Sequence, residues 1–317
     1  MEKRKLGTTN LHVYPMTFGG NVFGWTTDEK TSFELLNAFT DKGFNFIDTA
    51  DAYSRWADGN EGGESEIVIG NWLKQRKNRD SVIIATKVGY DMGNGKKGLS
   101  KKYISQAVED SLKRLQTDYI DLYQTHFDDE NTPIEETLET YAQLIQEGKV
   151  RYIGASNLSV ARLQASLDIA TDKGLPMYST FQPHYNLYDR DKFENGLEQI
   201  CLDNNIGVLN YFSLASGFLT GKYRSKDDFG KSPRGGSMDK YLNERGYKIL
   251  SALDEVASDL NTTPATVALA WLLHRPSVTA PIVSATSLKQ LESIINAPKL
   301  PIRAEHIELL TKVSDWK

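Results

Sequence analysis

In the stretch GFNFIDTADAY, residues 43–53, a short hydrophobic run ends in a carboxylate, Asp48, and a phenol, Tyr53, follows five residues later. Two further apolar runs end in groups that hold protons: IIATK at Lys87 and LYQTH at His126. A phenol titrates near ~10 and is a weak acid at neutral pH. An adjacent ammonium favours phenolate and lowers that value, a part that Lys87 can take, with Asp48 keeping the lysine charged and aimed. His126 can donate a hydrogen bond to a substrate oxygen. Together these groups form an acid and an oxyanion-type site that polarises a carbonyl. Such a site still needs a nucleophile, and none of these side chains supplies one; a hydride from a nicotinamide does. Each residue also has an ordinary explanation. Asp48 or Thr49 can cap a helix, with Tyr53 as a packing wall, and a lysine or histidine at a strand end is commonly solvated or structural. Their recurrence at the same end of successive strands favours a shared site.

The elements that must position them alternate along the chain. Strand candidates fall at 16–20, 44–50, 81–88, 119–127, 150–157, 178–186, 207–214 and 279–286, with helical patterns near 29–41, 64–76, 101–115, 134–147, 159–172, 190–204, 245–273 and 288–296. Ser100 and Thr132-Pro133 are expected helix starts. Eight strands alternating with eight helical segments predict one (β/α)₈ barrel over residues 1–317, with a doubly wound open sheet as the alternative. The opening RKLGTTNLHVY predicts a hairpin under the barrel, turning at Thr8–Asn10. The segment 215–242, with SPRGGS inside it, predicts a long functional loop or lid after the seventh strand. In such a barrel, chemistry gathers at the carboxyl ends of the strands. Ser156 and Asn157 end the fifth strand, Gln182 lies on the sixth, Tyr211 on the seventh, and Ser284–Thr286 on the eighth.

Composition narrows the setting. The chain has 317 residues, 25% of them charged, and a net charge of −5, which argues against nucleic acid or an acidic membrane as partner. Its single cysteine, Cys201, excludes an intrachain disulfide and a cysteine-based zinc cage. No apolar leader or membrane-length run is present, so a cytoplasmic setting is expected. No metal is expected, and no protein partner is legible.

In the order and spacing of several motifs, the chain resembles the aldo-keto reductase family over nearly its whole length. GFNFIDTADAY, ESEIVIG, IATK, LYQTHFDD, GKVRYIGASN, FQPHYN and SGFLTGKY carry the likeness. The resemblance implies a tetrad of Asp48, Tyr53, Lys87 and His126, with Tyr53 as proton donor. It implies that Ser156, Asn157 and Gln182 hold a nicotinamide carboxamide, that Tyr211 stacks on the ring, and that Gly20 and Asn21 lie beside it. It places the loop of Phe212, Ser213, Leu214, Ser216, Lys222 and Arg234 over the pyrophosphate, and Ser284, Thr286 and Gln290 toward the adenosine. Here Tyr211-Phe212-Ser213-Leu214 stands where many relatives have Tyr/Trp-Ser-Pro-Leu. Ser284 replaces a glycine, and Ser293-Ile294 replaces Glu-Asn.

The expected activity is reversible reduction of a small aldehyde or ketone by NADP(H). Phe23, Trp25, Tyr90 and Phe127 are candidates to line an apolar mouth, together with Tyr53 and His126. Trp56 lies in the glycine-rich ADGNEGGE loop nearby. The lean toward NADPH rests on Thr286, Lys289 and Gln290 near a helix start, a place that favours phosphate. Two other functions fit parts of the pattern: a cofactor-binding redox sensor or regulatory subunit, and a Schiff-base aldolase or lyase using Lys87. GNGKKG at 93–98 matches GxGxxG, with Asp118 twenty residues after Gly98. Gly93 lies five residues past Val88, however, and Asp118 precedes its strand, so a mobile charged loop is expected there instead of a dinucleotide fold.

Overall fold

A computed structural model describes residues 2–93 and 95–317. The chain opens with a hairpin of β1 (Arg4–Lys5) and β2 (His12–Val13), paired Arg4 to Val13 and Lys5 to His12. Thr9 closes the turn, its hydroxyl donating to Leu6 O at 2.7 Å and accepting from Leu11 N at 3.0 Å. The hairpin is tied to the barrel floor, as expected: Arg4 donates to Leu273 O and Val278 O, and Thr8 Oγ1 to Ser179 Oγ.

Eight parallel strands then form the barrel. They are β3 (Thr17–Gly19), β4 (Phe46–Asp48), β5 (Ile83–Val88), β6 (Ile120–Thr125), β7 (Val150–Ser156), β8 (Thr180–Gln182), β9 (Gly207–Val208) and β10 (Ile282–Val283), in spatial order β10-β3-β4-β5-β6-β7-β8-β9. Hydrogen bonds from Thr279 N to Val208 O (2.9 Å) and from Ile282 N to Asn210 O (2.9 Å) join the two ends of that order. The open-sheet alternative is thereby set aside. The ladders are shorter than the predicted runs.

Alternation along the strands builds the site. Phe46, Ile83, Ala85, Leu122, Leu209, Ala280 and Ile282 pack with Leu6 and Val13 of the hairpin into an inner apolar plug. Two residues on from Phe46, Ala85 and Leu122, each strand points the same way with Asp48, Lys87 and Gln124. The intervening Ile47, Ile84 and Tyr123 face outward into the larger core under the helices. One strand period therefore puts an apolar floor beneath a polar ceiling.

The helices α1 (Glu29–Asp41), α2 (Glu64–Arg76), α3 (Lys101–Leu115), α4 (Ile134–Gln146) and α5 (Val160–Lys173) fall where the sequence predicts. Asp28, Ser100 and Ser159 cap α1, α3 and α5 through their side chains. Two predicted helices are each broken. The 190–204 segment is α6 (Asp191–Glu194) and α7 (Leu197–Asp203), separated at Gly196, whose φ of 106° is closed to most side chains. The 245–273 segment is α8 (Glu244–Asp259) and α9 (Pro264–Leu273). Asn261 enters the left-handed region, and Pro264, lacking an N–H, starts the new helix under a Thr263 cap. After α10 (Leu288–Asn296) comes α11 (Ala304–Val313), which the sequence reading did not anticipate. No helix among the described residues is long and apolar enough to cross a membrane.

The 215–242 segment is a strap of short 3₁₀ turns. Tyr223, Met238 and Tyr241 anchor it by burial, and Tyr241 donates to Asp189 at 2.9 Å. The GxGxxG run is a loop between β5 and α3, as expected, with Asn94 outside the described residues.

Candidate active site

The four residues singled out from the sequence converge at the carboxyl ends of β4, β5 and β6. Lys87 Nζ donates to Asp48 Oδ2 at 2.7 Å, to Thr49 O at 2.7 Å and to Tyr53 OH at 2.8 Å. All three ammonium protons are thus engaged. Tyr53 OH also lies 3.3 Å from Asp48 Oδ2. The other carboxylate oxygen, Oδ1, accepts from Gln182 Nε2 at 2.9 Å and Gln124 Nε2 at 3.2 Å. The His126 ring stands 6.0 Å from the Tyr53 ring, centroid to centroid. Gln124 was missed in the sequence, yet IDLYQT carries the signal: two residues past Leu122 on the same face, it pairs in register with Lys87.

Burial dominates the electrostatics. It holds the Tyr53 phenol well above its ordinary value, and the Asp48 carboxylate adds to this. The ammonium of Lys87 at 2.8 Å pulls the other way. The nearby cation lowers the phenol from where burial and Asp48 alone would put it, while the overall direction stays upward. Burial also lowers Lys87, with Asp48 opposing. His126 is driven well below its ordinary value by burial and then by the Lys87 charge, so its imidazole is neutral. Its Nδ1 is buried with no partner. An unmet lone pair costs less than an unmet N–H, which assigns the proton to Nε2.

A second polar layer lies behind the tetrad. Glu66 of α2, fully buried, accepts from Thr86 Oγ1 at 2.5 Å and Arg114 Nε at 2.7 Å. Asp51 follows Asp48 in the same loop, with its N–H on Lys87 O at 3.3 Å and its Oδ1 unpartnered. Burial, and next the charge of Glu66, push the Asp51 carboxyl up to about 8.

The β7–β9 side presents amide and aromatic groups. Ser156 Oγ donates to Gln182 O at 2.8 Å, and Asn157 Nδ2 donates to His126 O at 2.9 Å and to Ser156 Oγ at 3.0 Å. Tyr211 OH donates to Asn157 Oδ1 at 2.8 Å, and the Tyr211 ring stacks on His184 with centroids 5.3 Å apart. Gln182 Oε1 takes no hydrogen bond from the described residues. With the second lone pair of Asn157 Oδ1, it offers acceptors that suit a carboxamide NH₂ beside an aromatic face, so these groups fit a nicotinamide. At Gly20 a side chain would fall 2.7 Å from Ser65 Oγ and 3.1 Å from Asp48 O, so only glycine lets these segments approach. Asn21 bonds Ser284, and Thr286 N and Oγ1 donate to Gln290 Oε1 at 2.8 and 3.1 Å.

The loop after β9 holds Phe212, Ala215 and Ser216 in the left-handed region, strain of the kind stored at ligand-binding turns. Leu214 is half-buried in that turn, and Lys222 packs against Gly217. The Ser213 hydroxyl is buried and donates to Ile282 O at 2.8 Å. It pins the loop to β10.

At the mouth, Trp25, Trp56 and Tyr53 form a chain of edge contacts, with Trp25–Trp56 at 5.6 Å and Tyr53–Trp56 at 6.0 Å. Tyr90 and Phe127 flank His126 at 5.6 and 5.1 Å. Phe23 is not among them: it is fully buried and stacked on Phe18 at 5.4 Å, so it belongs to the core. Its run, NVFGW, carries two aromatics, and only the three-dimensional turn separates the buried one from the half-buried one. Arg234, expected over the pyrophosphate, lies 5.3 Å over the Trp25 ring.

A family model described as the aldo/keto reductase family matches residues 15–315. An oxidoreductase of Bacillus subtilis, YrpG, named as uncharacterized, is 35% identical over 99% of this chain and 96% of its own. Aldo-keto reductase YhdN of the same organism is 37% identical over 87% of this chain and 81% of its own. L-glyceraldehyde 3-phosphate reductase of Escherichia coli O157:H7 is 33% identical over 94% and 87%.

Proposed function

Because the chain belongs to the aldo/keto reductase family and is an NAD(P)H-dependent oxidoreductase, we propose that it reduces the carbonyl of small aldehydes or ketones with NADPH, reversibly, and that Tyr53 is the proton donor. The observation that carries this is the triple engagement of Lys87 Nζ, with Tyr53 OH at 2.8 Å and Asp48 Oδ2 at 2.7 Å. A bound reduced nicotinamide supplies a hydride to the carbonyl carbon. Asn157, Gln182 and Ser156 hold its carboxamide in this reading, Tyr211 covers its ring, and Gly20 and Asn21 border it. Phe212, Leu214, Ser216 and Lys222 line the pyrophosphate turn, with Ser284, Thr286 and Gln290 toward the adenosine.

Tyr53 OH gives its proton to the carbonyl oxygen, and hydride plus proton complete the alcohol. The phenolate left behind keeps the hydrogen bond from Lys87, and the ammonium charge stabilises it. Asp48 holds Lys87 charged against the pull of burial. A neutral His126 donates from Nε2 to the carbonyl oxygen and orients it. Trp25, Trp56, Tyr90 and Phe127 give the substrate an apolar wall, in keeping with a small carbonyl compound.

Two features weigh against the Schiff-base alternative. Every proton on Lys87 Nζ is already spent, and the side chain is fully buried, whereas imine formation needs a neutral, accessible amine. The sensor alternative is decided by turnover. Screening an aldehyde and ketone panel while following nicotinamide absorbance is expected to find substrates. Tyr53→Phe is expected to lower kcat by ~10²-fold or more, with cofactor affinity retained. Bound cofactor without turnover of any carbonyl would favour the sensor.

A further inference from the structure

Arg234 sits in the strap after β9, where residues Gly235–Ser237 form a 3₁₀ turn. Its guanidinium is half-buried over the Trp25 ring at 5.3 Å, and its charge acts on the Tyr53 phenol. Among the described residues no carboxylate pairs with it, and its side chain makes no hydrogen bond to protein. Other sheltered arginines differ. Arg114 is on Glu66, Arg190 on Glu194, and Arg245 donates to the carbonyls of Tyr188 and Ser314. A guanidinium taken partly out of water without an anion carries an uncompensated desolvation cost. Held over an aromatic ring with no side-chain hydrogen bond to protein, it keeps its N–H fork for a planar or tetrahedral anion.

Its position selects which anion. The groups that suit a carboxamide lie on the β7–β9 side, at Ser156, Asn157, Gln182 and Tyr211. Arg234 instead lies with Trp25, which touches Trp56, which touches Tyr53. These are the loops after β3 and β4, on the side where the carbonyl oxygen meets the phenol. We propose that Arg234 is a specificity-determining residue that binds the phosphate or carboxylate group of a short-chain anionic carbonyl substrate. The proposal rests on the carbonyl-reduction reading above. Trp25 acts as the positioning platform for the guanidinium.

Matched substrates and Arg234→Leu test it. Succinic semialdehyde is compared with butanal, and glycolaldehyde phosphate with glycolaldehyde. Wild type is expected to prefer the anionic member of at least one pair, which identifies the anion as carboxylate or phosphate. Arg234→Leu is expected to raise KM for that member by roughly 10- to 100-fold, the range of one charge-assisted contact. The neutral member should lose at least tenfold less, and Arg234→Lys should recover part of the preference. Equal losses on both members would overturn the proposal while leaving carbonyl reduction standing. So would a weakened nicotinamide affinity in Arg234→Leu with no change in the preference, which would return Arg234 to the pyrophosphate. If wild type turns over no carbonyl, the reduction reading fails. Titration of succinate or inorganic phosphate against tryptophan fluorescence then decides: saturable quenching in wild type that is absent in Arg234→Leu supports the anion site, and any other result overturns it.

Discussion

Lys87 Nζ and Asp48 Oδ2 stand 2.7 Å apart with both side chains fully buried. They come from neighbouring strands, β5 and β4, and each completes its surroundings with further hydrogen bonds: Thr49 O and Tyr53 for the lysine, Gln124 and Gln182 for the aspartate. An ion pair out of water is tolerated only when its remaining donors and acceptors are met, and here they are.

Removing one partner should therefore cost more than removing both. Lys87→Met leaves Asp48 buried and unbalanced and is expected to destabilise the fold by about 3–5 kcal/mol. The double variant Asp48→Asn with Lys87→Met should regain part of that loss, while kcat stays low in both. Urea unfolding alongside turnover checks this. A single variant as stable as wild type would mean that the pair carries no buried charge.

Tyr53 should keep its proton well into alkaline solution, because burial and Asp48 raise it well above its ordinary value. Carbonyl reduction uses the protonated phenol, so its kcat should hold between about pH 6 and 9. Alcohol oxidation uses the phenolate and should rise with pH over the same span. Profiles in both directions at saturating cofactor are the measurement. A reduction limb falling through pH 7 would contradict the assignment.

Asp51 makes a pH-dependent contribution to stability. Its folded value is about 8, against about 3.9 in an unfolded chain. Below pH 4 both states hold the proton. Between pH 4 and 8 only the folded state holds it, so stability falls as pH rises, by at most about 1.4 kcal/mol per pH unit for one proton. Asp51→Asn removes this loss. Its urea midpoint relative to wild type should climb from pH 5 to pH 8 and level off above. A constant offset across that range would show that Asp51 ionises normally.

NADPH should bind more tightly than NADH, with a margin that shrinks as salt rises. Lys289 is exposed at the start of α10, where Ser287 caps the helix, and Gln290 Oε1 is already held by Thr286. A phosphate contact there is open to solvent and therefore screened. Protein fluorescence titrations at low and high salt report both affinities. Equal affinities at low salt, or a preference for NADH, would defeat the expectation.

Much of this was legible in the sequence because strand period and strand ends are local properties. Phe46 and Asp48, or Ala85 and Lys87, share a face whatever else the chain does. Alternating strands and helices with an acid, lysine and histidine at successive strand ends therefore already implied a barrel with one polar rim. Helix breaks were equally local, since Gly196 and Pro264 stood in plain sight, but hydrophobic periodicity ran across them. What the tertiary structure alone decided was the surroundings. Whether Phe23 or Trp25 faces the mouth depends on how the turn after β3 packs on Phe18. How far the Tyr53 phenol is raised depends on how much water the rim removes. That Arg234 lies over the Trp25 ring depends on where a strap some two hundred positions from Trp25 comes to rest. Those are sums over contacts distant in sequence, and no local pattern encodes them.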